Sequence, residues 1–300
     1  MMTDVLERYR EAALLVRRDD LAAAVVRGPD RLRWLNGMVS TDVTKVAPGH
    51  GLFGLAVGRT GKILAEVVML ARDEDLVMLM HRDVRDAMVS HLDRHLIMDD
   101  ATVTALAGVR AVQVVGVGAA QELERLRQAG VGEAHGELAT GAGIDGFFLL
   151  PEAASLAGEV GGEAPEPEAL RVGRGLPRFR VDFDESHYAQ EALLEKTHVA
   201  FDKGCYLGQE VVCMLELRGH VKRKLALVEL GERLAPGTEV QSSEGVAVGT
   251  LAGTAVHPLN QEKFLAFAMV KVAFAEIGRA LRVGESTCVV VVPPLAGSVP

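Results

Sequence analysis

The chain changes character near Val221, and that change constrains the fold more than any other feature. "RKLALVELGE", "TEVQSSEG", "VAVGTLAG", "KFLAFAMVKVA" and "ALRVGE" are short runs, rich in apolar and β-branched residues and divided by turns. Closely spaced strands of this kind predict a small antiparallel barrel or sandwich. Upstream the pattern is mixed. "LAAAVVRG" reads as a buried strand. "GPDRLRWLNGMVSTDV" then turns into a helix, with Pro29 suited to its first turn and Leu32, Leu35 and Val39 on one face.

From Gly51 to about Ala139 strands and helices alternate. "GLFGLAVGRTGKILAEVVML" is a hairpin turning at Gly58-Arg59-Thr60-Gly61, and "DLVMLMH" is the next strand. Val84, Met88, His91, Leu92 and His95 recur at three- and four-residue spacing, which predicts an amphipathic helix. Two strands flank Gly108, and "AAQELERLRQAG" is a short helix closed by Gly130. "LAGEVGGEAPEPE" is the best linker candidate. A helix around "EALRVGRG", an irregular run, and a helix over "EVVCMLELRG" follow, and no solenoid repeat is present.

A chain of 300 residues with 49% apolar content has ample core for two or three domains. Cys205, Cys213 and Cys288 match neither a disulfide framework nor a closed zinc site, so a reducing compartment is expected. No apolar run nears the ~18 residues of a membrane span, and the charged start lacks a signal core. The default expectation is cytoplasmic, with no membrane partner. The net charge of −9 argues against direct nucleic-acid binding, which needs a basic face. An anionic small ligand in a local basic pocket remains compatible with it.

"KGCYLGQE", Lys203 to Glu210, is the densest cluster of chemically capable residues. A helix starting near Gly208 places its positive end beside Cys205, and Lys203 is two residues away; both favour thiolate. The alternative is a glycine-bracketed turn whose cysteine fills a small apolar hole. A histidine partner has to come from elsewhere, with His187, His198 and His220 available. His91 and His95 have metal-capable i,i+4 spacing but no third ligand, so a helix face is the simpler reading. "GVGAAQ" lacks the third glycine of a dinucleotide fingerprint. Glu191 lies in the irregular run, and composition alone makes it a solvated surface acid.

The octet is similar to the K-G-C-Y-x-G-Q-E signature of the YgfZ proteins, folate-binding relatives of the glycine-cleavage T-protein, an aminomethyltransferase. "VVRGPDRLRWLNGMVSTDV" resembles the family's opening block through Val26, Gly28, Asp30, Leu35, Asp42 and Val43. "LRVGRGLPRFRVDFDESHYAQEALLEKTHVAFDKGCYLGQE" resembles its central block, and "RGHVKRKLALVEL" with "VAVGTLAGTAVHP" the start of its C-terminal barrel. The resemblance implies an α+β fold of three domains around a central opening. These are a folate-binding domain at 1–50 plus 140–218, an inserted domain at 51–139, and an antiparallel β-barrel at 219–300.

The implied cofactor is tetrahydrofolate, with Glu191 accepting from two parallel pterin donors as a carboxylate does from an arginine fork. Asp30, Tyr206, Gln209 and Glu66 complete the implied folate set, and Cys205 and Lys203 carry the chemistry; no metal site is implied. The implied role is iron–sulfur cluster assembly or repair in client proteins, tRNA-modifying enzymes included. The alternatives are a folate-dependent aminomethyl or other one-carbon transferase, and a non-catalytic interaction protein with a relict pocket. Two departures bear on the choice. The T-protein's acidic pair is replaced by Ala65 and Glu66, whereas the octet cysteine, absent from T-proteins, is present. "GQEVVCM" puts Met214 where an arginine is usual, removing a cation, although Arg218 and Arg223 remain nearby.

Overall fold

The computed structural model describes residues 9–130, 132–140, 143–152, 166–219 and 221–296. Most of the linker candidate, 156–165, and His220 lie outside the described residues. The chain opens with β1 (Leu14–Arg17), β2 (Leu21–Arg27) and α1 (Arg31–Asn36). It continues through β3 (Gly51–Val57), β4 (Ile63–Ala71), β5 (Asp75–His81), α2 (Arg82–Asp93), β6 (Thr102–Leu106), β7 (Val109–Val115) and α3 (Ala119–Ala129). After β8 (Glu133–Thr140) and β9 (Gly143–Pro151) come α4 (Pro167–Gly173) and α5 (Gln209–Arg218).

Two antiparallel sheets follow from these strands, in the orders β3-β4-β5-β2-β6 and β1-β7-β9-β8. β2 is apolar on both faces. Ala24 and Val26 pack with Val84, Met88 and Leu92 of α2, while Ala23 packs with Phe53, Val77 and Leu79 on the other side. A strand buried on both faces belongs inside a sheet, and β2 pairs with both β5 and β6. The faces of the two sheets meet through Phe53, Val68 and Leu70 against Phe147, Leu149 and Leu138. α3 covers the far side of the second sheet with Leu123 and Leu126. The layers are therefore helix, sheet, sheet, helix, as apolar faces on both sides of each sheet require.

Sheet membership crosses the divisions at residues 50 and 139: β2 joins strands of 51–106, and β1 joins strands of 109–151. The two strands read around Gly108 exist, but they enter different sheets, with Gly108 at φ +74° where the chain leaves the first. Pro29 precedes the N-cap Asp30 rather than opening α1. α2 ends at Asp93, so His95 lies beyond it.

The C-terminal runs form β10 (Arg223–Leu230), β11 (Glu239–Gln241), β12 (Ala247–His257), β13 (Asn260–Lys271), β14 (Ala280–Val283) and β15 (Ser286–Val290). They close into an antiparallel barrel in the order β10-β13-β12-β11-β14-β15. Alternation decides which side chain goes where. Ala226, Val228, Ala266, Ala268 and Val270 point into the barrel, while Leu225, Leu227, Leu265, Phe267 and Met269 pack on the rest of the molecule. Closure leaves no free strand edge.

Candidate functional site

A cleft of about 100 Å3 opens between the sheets and the irregular run before the octet. Phe53 of β3 and Leu176, Pro177, Leu193 and Leu194 form its apolar walls. Glu66 of β4 and His198 stand in it as the acid and the imidazole, 3.4 Å apart from Oε1 to Nε2. Their alignment is too poor for a hydrogen bond, and His198 Nε2 is buried without a partner. Nδ1 of the same ring lies 2.7 Å from the Thr197 hydroxyl, and the ring tilts over Phe53 at 5.2 Å between centroids. Glu66 Oε2 accepts from the Phe179 N–H at 3.0 Å. Burial resists ionisation of Glu66, but His198, that N–H and Arg18 prevail and hold its carboxyl below the usual range.

Arg18, Arg171 and Arg178 line the same cleft and are shared with an adjoining hollow of about 40 Å3. Arg171 is committed to Glu168, Asp182 and the Leu176 carbonyl. Arg18 grips Asp20 through two nitrogens at 2.9 Å and donates to Gln113. Arg178 pairs with Glu168 at 2.8 Å, while its Nε is buried without a partner. The cleft thus joins an ionised carboxylate and an imidazole to a wall of ion-paired guanidinium groups across an apolar surface. Such a site suits a largely planar molecule with hydrogen-bonding edges.

The octet lies beside the hairpin turn between β3 and β4. Gly208 is at φ +78°, and a Cβ there would meet the Gly58 carbonyl at 2.2 Å; one at Gly61 would meet Val211 at 2.6 Å. Only glycine permits that approach. The Lys203 ammonium donates to the carbonyls of Asn36, Val39 and Thr41 at 2.6–2.7 Å and sits 5.1 Å from the Tyr206 ring. Burial lowers its pKa to about 8, but three carbonyls use all three of its protons and keep it an ammonium at neutral pH. Lys203 therefore clamps the octet to residues 36–41 in this structure. Gln209 accepts from the Tyr206 N–H at 3.3 Å; the Tyr206 ring is buried, its hydroxyl lacks a partner, and burial pushes that hydroxyl up. Cys205 is exposed and free, Cys213 is half-buried, and burial pushes the Cys288 thiol up to about 11.

The other sequence candidates are dispersed. Glu191 is 6% exposed, not a solvated acid: its oxygens accept from the Tyr188 N–H at 3.1 Å and Arg223 Nε at 3.3 Å, and its carbonyl accepts from Leu225. It lies outside the cleft lining and ties the irregular run to β10. Asp30 accepts from the Asp100 N–H at 2.9 Å and pairs with Arg33, also away from the cleft. The His91 and His95 rings lie 4.8 Å apart between centroids, tilted at 49°, and the Trp34 indole donates to the His95 carbonyl at 3.4 Å. Among the described residues no group of three or more His, Cys, Asp or Glu is placed to hold a metal ion. Of the residues named as site candidates from sequence, the cleft holds only Glu66. His198 carried no signal beyond being an available imidazole, and the arginines none at all.

Residues 3–139 match the family model of the GCVT N-terminal domain. A tRNA-modifying protein YgfZ of Cronobacter sakazakii is 25% identical over 250 residues, spanning 77% of this chain and 76% of its own. In sequence this chain is similar to the YgfZ proteins. The likeness extends to the YgfZ of Pectobacterium carotovorum, 26% identical over 71% of this chain and 69% of that one. The fold is that of the glycine cleavage system aminomethyltransferase T of Bartonella henselae, with a TM-score of 0.81 over 99% of this chain, 90% of that chain and 15% identity. Met214 is 45% exposed on α5, and no helix among the described residues is long and apolar enough to cross a membrane.

Proposed function

We propose that this protein binds tetrahydrofolate in the cleft and acts, through the exposed Cys205 thiol, in assembly or repair of iron–sulfur clusters. The clients are other enzymes, tRNA-modifying ones among them, and the protein itself needs no direct nucleic-acid contact. The observation that carries the reading is the pairing, in one cleft, of the Glu66–His198 polar edge with guanidinium groups across an apolar wall. A reduced folate has the matching parts: a flat hydrogen-bonding heterocycle and a carboxylate-bearing tail. Glu191, with both oxygens engaged, holds the segment that carries Leu193, Leu194 and His198; a pterin reaching it would displace Arg223. Lys203 positions the turn that presents Cys205.

Calorimetric titration of the purified protein with tetrahydrofolate should show saturable one-site binding, and a null titration overturns the folate assignment. Cys205→Ala tests the thiol: it should fail to restore iron–sulfur enzyme activity in cells lacking the native protein, and full rescue removes that role. The ionised Glu66 in the cleft also supports a second reading, aminomethyl transfer. That reading requires methylenetetrahydrofolate to form from tetrahydrofolate and an S-aminomethyl thioether donor, with ammonia and the free thiol released, and absence of turnover eliminates it.

A further inference from the structure

His198 is the one imidazole in the cleft lining, and its burial has a specific cause. Its backbone carbonyl accepts from the Ser40 hydroxyl, and Ala200 donates to the Ser40 carbonyl at 2.9 Å, so the segment is pinned to the corner after α1. Thr197 engages Nδ1 at 2.7 Å, and Phe53 supports the ring face. Only Nε2 is left over. The residue is 7% exposed, and Nε2 is buried, without a hydrogen-bond partner, in the wall of an open cleft. A buried polar nitrogen without a hydrogen-bond partner is unfavourable unless a ligand or water satisfies it. The same segment holds a second cost: Leu193, also in the lining, sits at φ +61°, a left-handed conformation that a non-glycine residue adopts only when its surroundings impose it.

We propose that His198 Nε2 and Glu66 Oε1 together form the specificity-determining edge of the cleft, reading a ring carbonyl beside a ring N–H in the bound heterocycle. The ionised carboxylate 3.4 Å away favours the tautomer with the proton on Nε2, and Nδ1 then accepts from the Thr197 hydroxyl. That arrangement sets one donor beside one acceptor. A lactam edge, one acceptor beside one donor, is its complement, and the pyrimidinone ring of a pterin carries such an edge. The proposal deepens the folate reading and rests on it: His198 becomes a direct ligand contact, where the octet had pointed only to Cys205 and its neighbours.

The test compares tetrahydrofolate binding to the full-length protein, His198→Phe and His198→Gln by calorimetry, with urea unfolding as a control on folding. Phenylalanine keeps the contact with Phe53 and removes both ring nitrogens; glutamine restores an amide donor. Affinity should fall about 10-fold or more in His198→Phe, as loss of one buried hydrogen bond predicts. It should recover to within about 3-fold of wild type in His198→Gln. In protein carrying 15N-labelled histidine, the imidazole resonance missing from His198→Gln should shift on saturation with tetrahydrofolate. Wild-type binding that persists undiminished in both variants, or an unmoved resonance, overturns the inference and leaves the folate reading standing. A wild-type protein that binds no tetrahydrofolate overturns both.

Discussion

The barrel and the cleft are built from opposite materials. Inside the barrel apolar side chains meet, Val228, Ala268, Val270 and Leu281 among them. Around the cleft, buried polar groups meet: Arg174 with Asp145 and Arg171 with Asp182 as ion pairs, and Glu66 beside the His198 imidazole. An apolar core is non-directional, so any side chain of suitable volume on the inward face contributes. A buried charge is directional and needs its particular partner, since removing one member strands the other. The barrel is thus a support tolerant of change, and the cleft is a set of interlocked pairs that is not.

Three substitutions test that contrast. Lys203→Met removes one ammonium and strands three carbonyls, and should cost about 4 kcal/mol in urea unfolding. A loss below about 1 kcal/mol would mean water replaces the clamp and the contrast is overstated. Leu230→Ala empties one barrel position and should cost about 3 kcal/mol. Tetrahydrofolate affinity should stay unchanged in this variant, and weakened binding would show that the barrel is more than a support.

The smallest effect concerns Asp20, which anchors Arg18 at the cleft wall. Burial resists its ionisation, but the hydrogen bonds and charge of Arg18, with Arg178 nearby, lower its pKa from 3.8 to about 2. A carboxyl depressed in the folded state adds stability that is fully present above pH 4 and lost as pH falls toward 2. Asp20→Asn should therefore cost about 1 kcal/mol at neutral pH, after allowance for partial exposure. The gap from wild type should close between pH 4 and pH 2. Parallel acid-unfolding curves would remove Asp20 from the cleft's electrostatics.

The same contrast governs what was legible in the sequence. The hairpin at 58–61, the helix stop at Gly130 and the strands of the barrel are local: each rests on φ, on period-2 alternation or on a capping residue within a few positions. α2 was legible through Val84, Met88 and Leu92, and only its end was misplaced, since spacing cannot tell a histidine on the last turn from one just beyond it. The placing of β6 and β7 in separate sheets was not legible, because neighbouring strands usually pair, whereas β6 hydrogen-bonds the edge of β2, which lies far from it in the chain.

Lys203 looked catalytic beside a cysteine, yet its partners lie more than 160 residues away in the chain. Glu191 looked like a surface acid until Arg223 was folded against it. By itself the sequence determined the class of fold, the closed barrel, the octet turn and the likeness to YgfZ proteins, because these depend on short-range backbone preference and on contiguous motifs. The tertiary structure alone decided that Glu66, His198 and the arginines share one cleft, that Lys203 is a clamp, and that Cys205 faces solvent. Electrostatic partnership depends on distance in space, and chain order carries no measure of that.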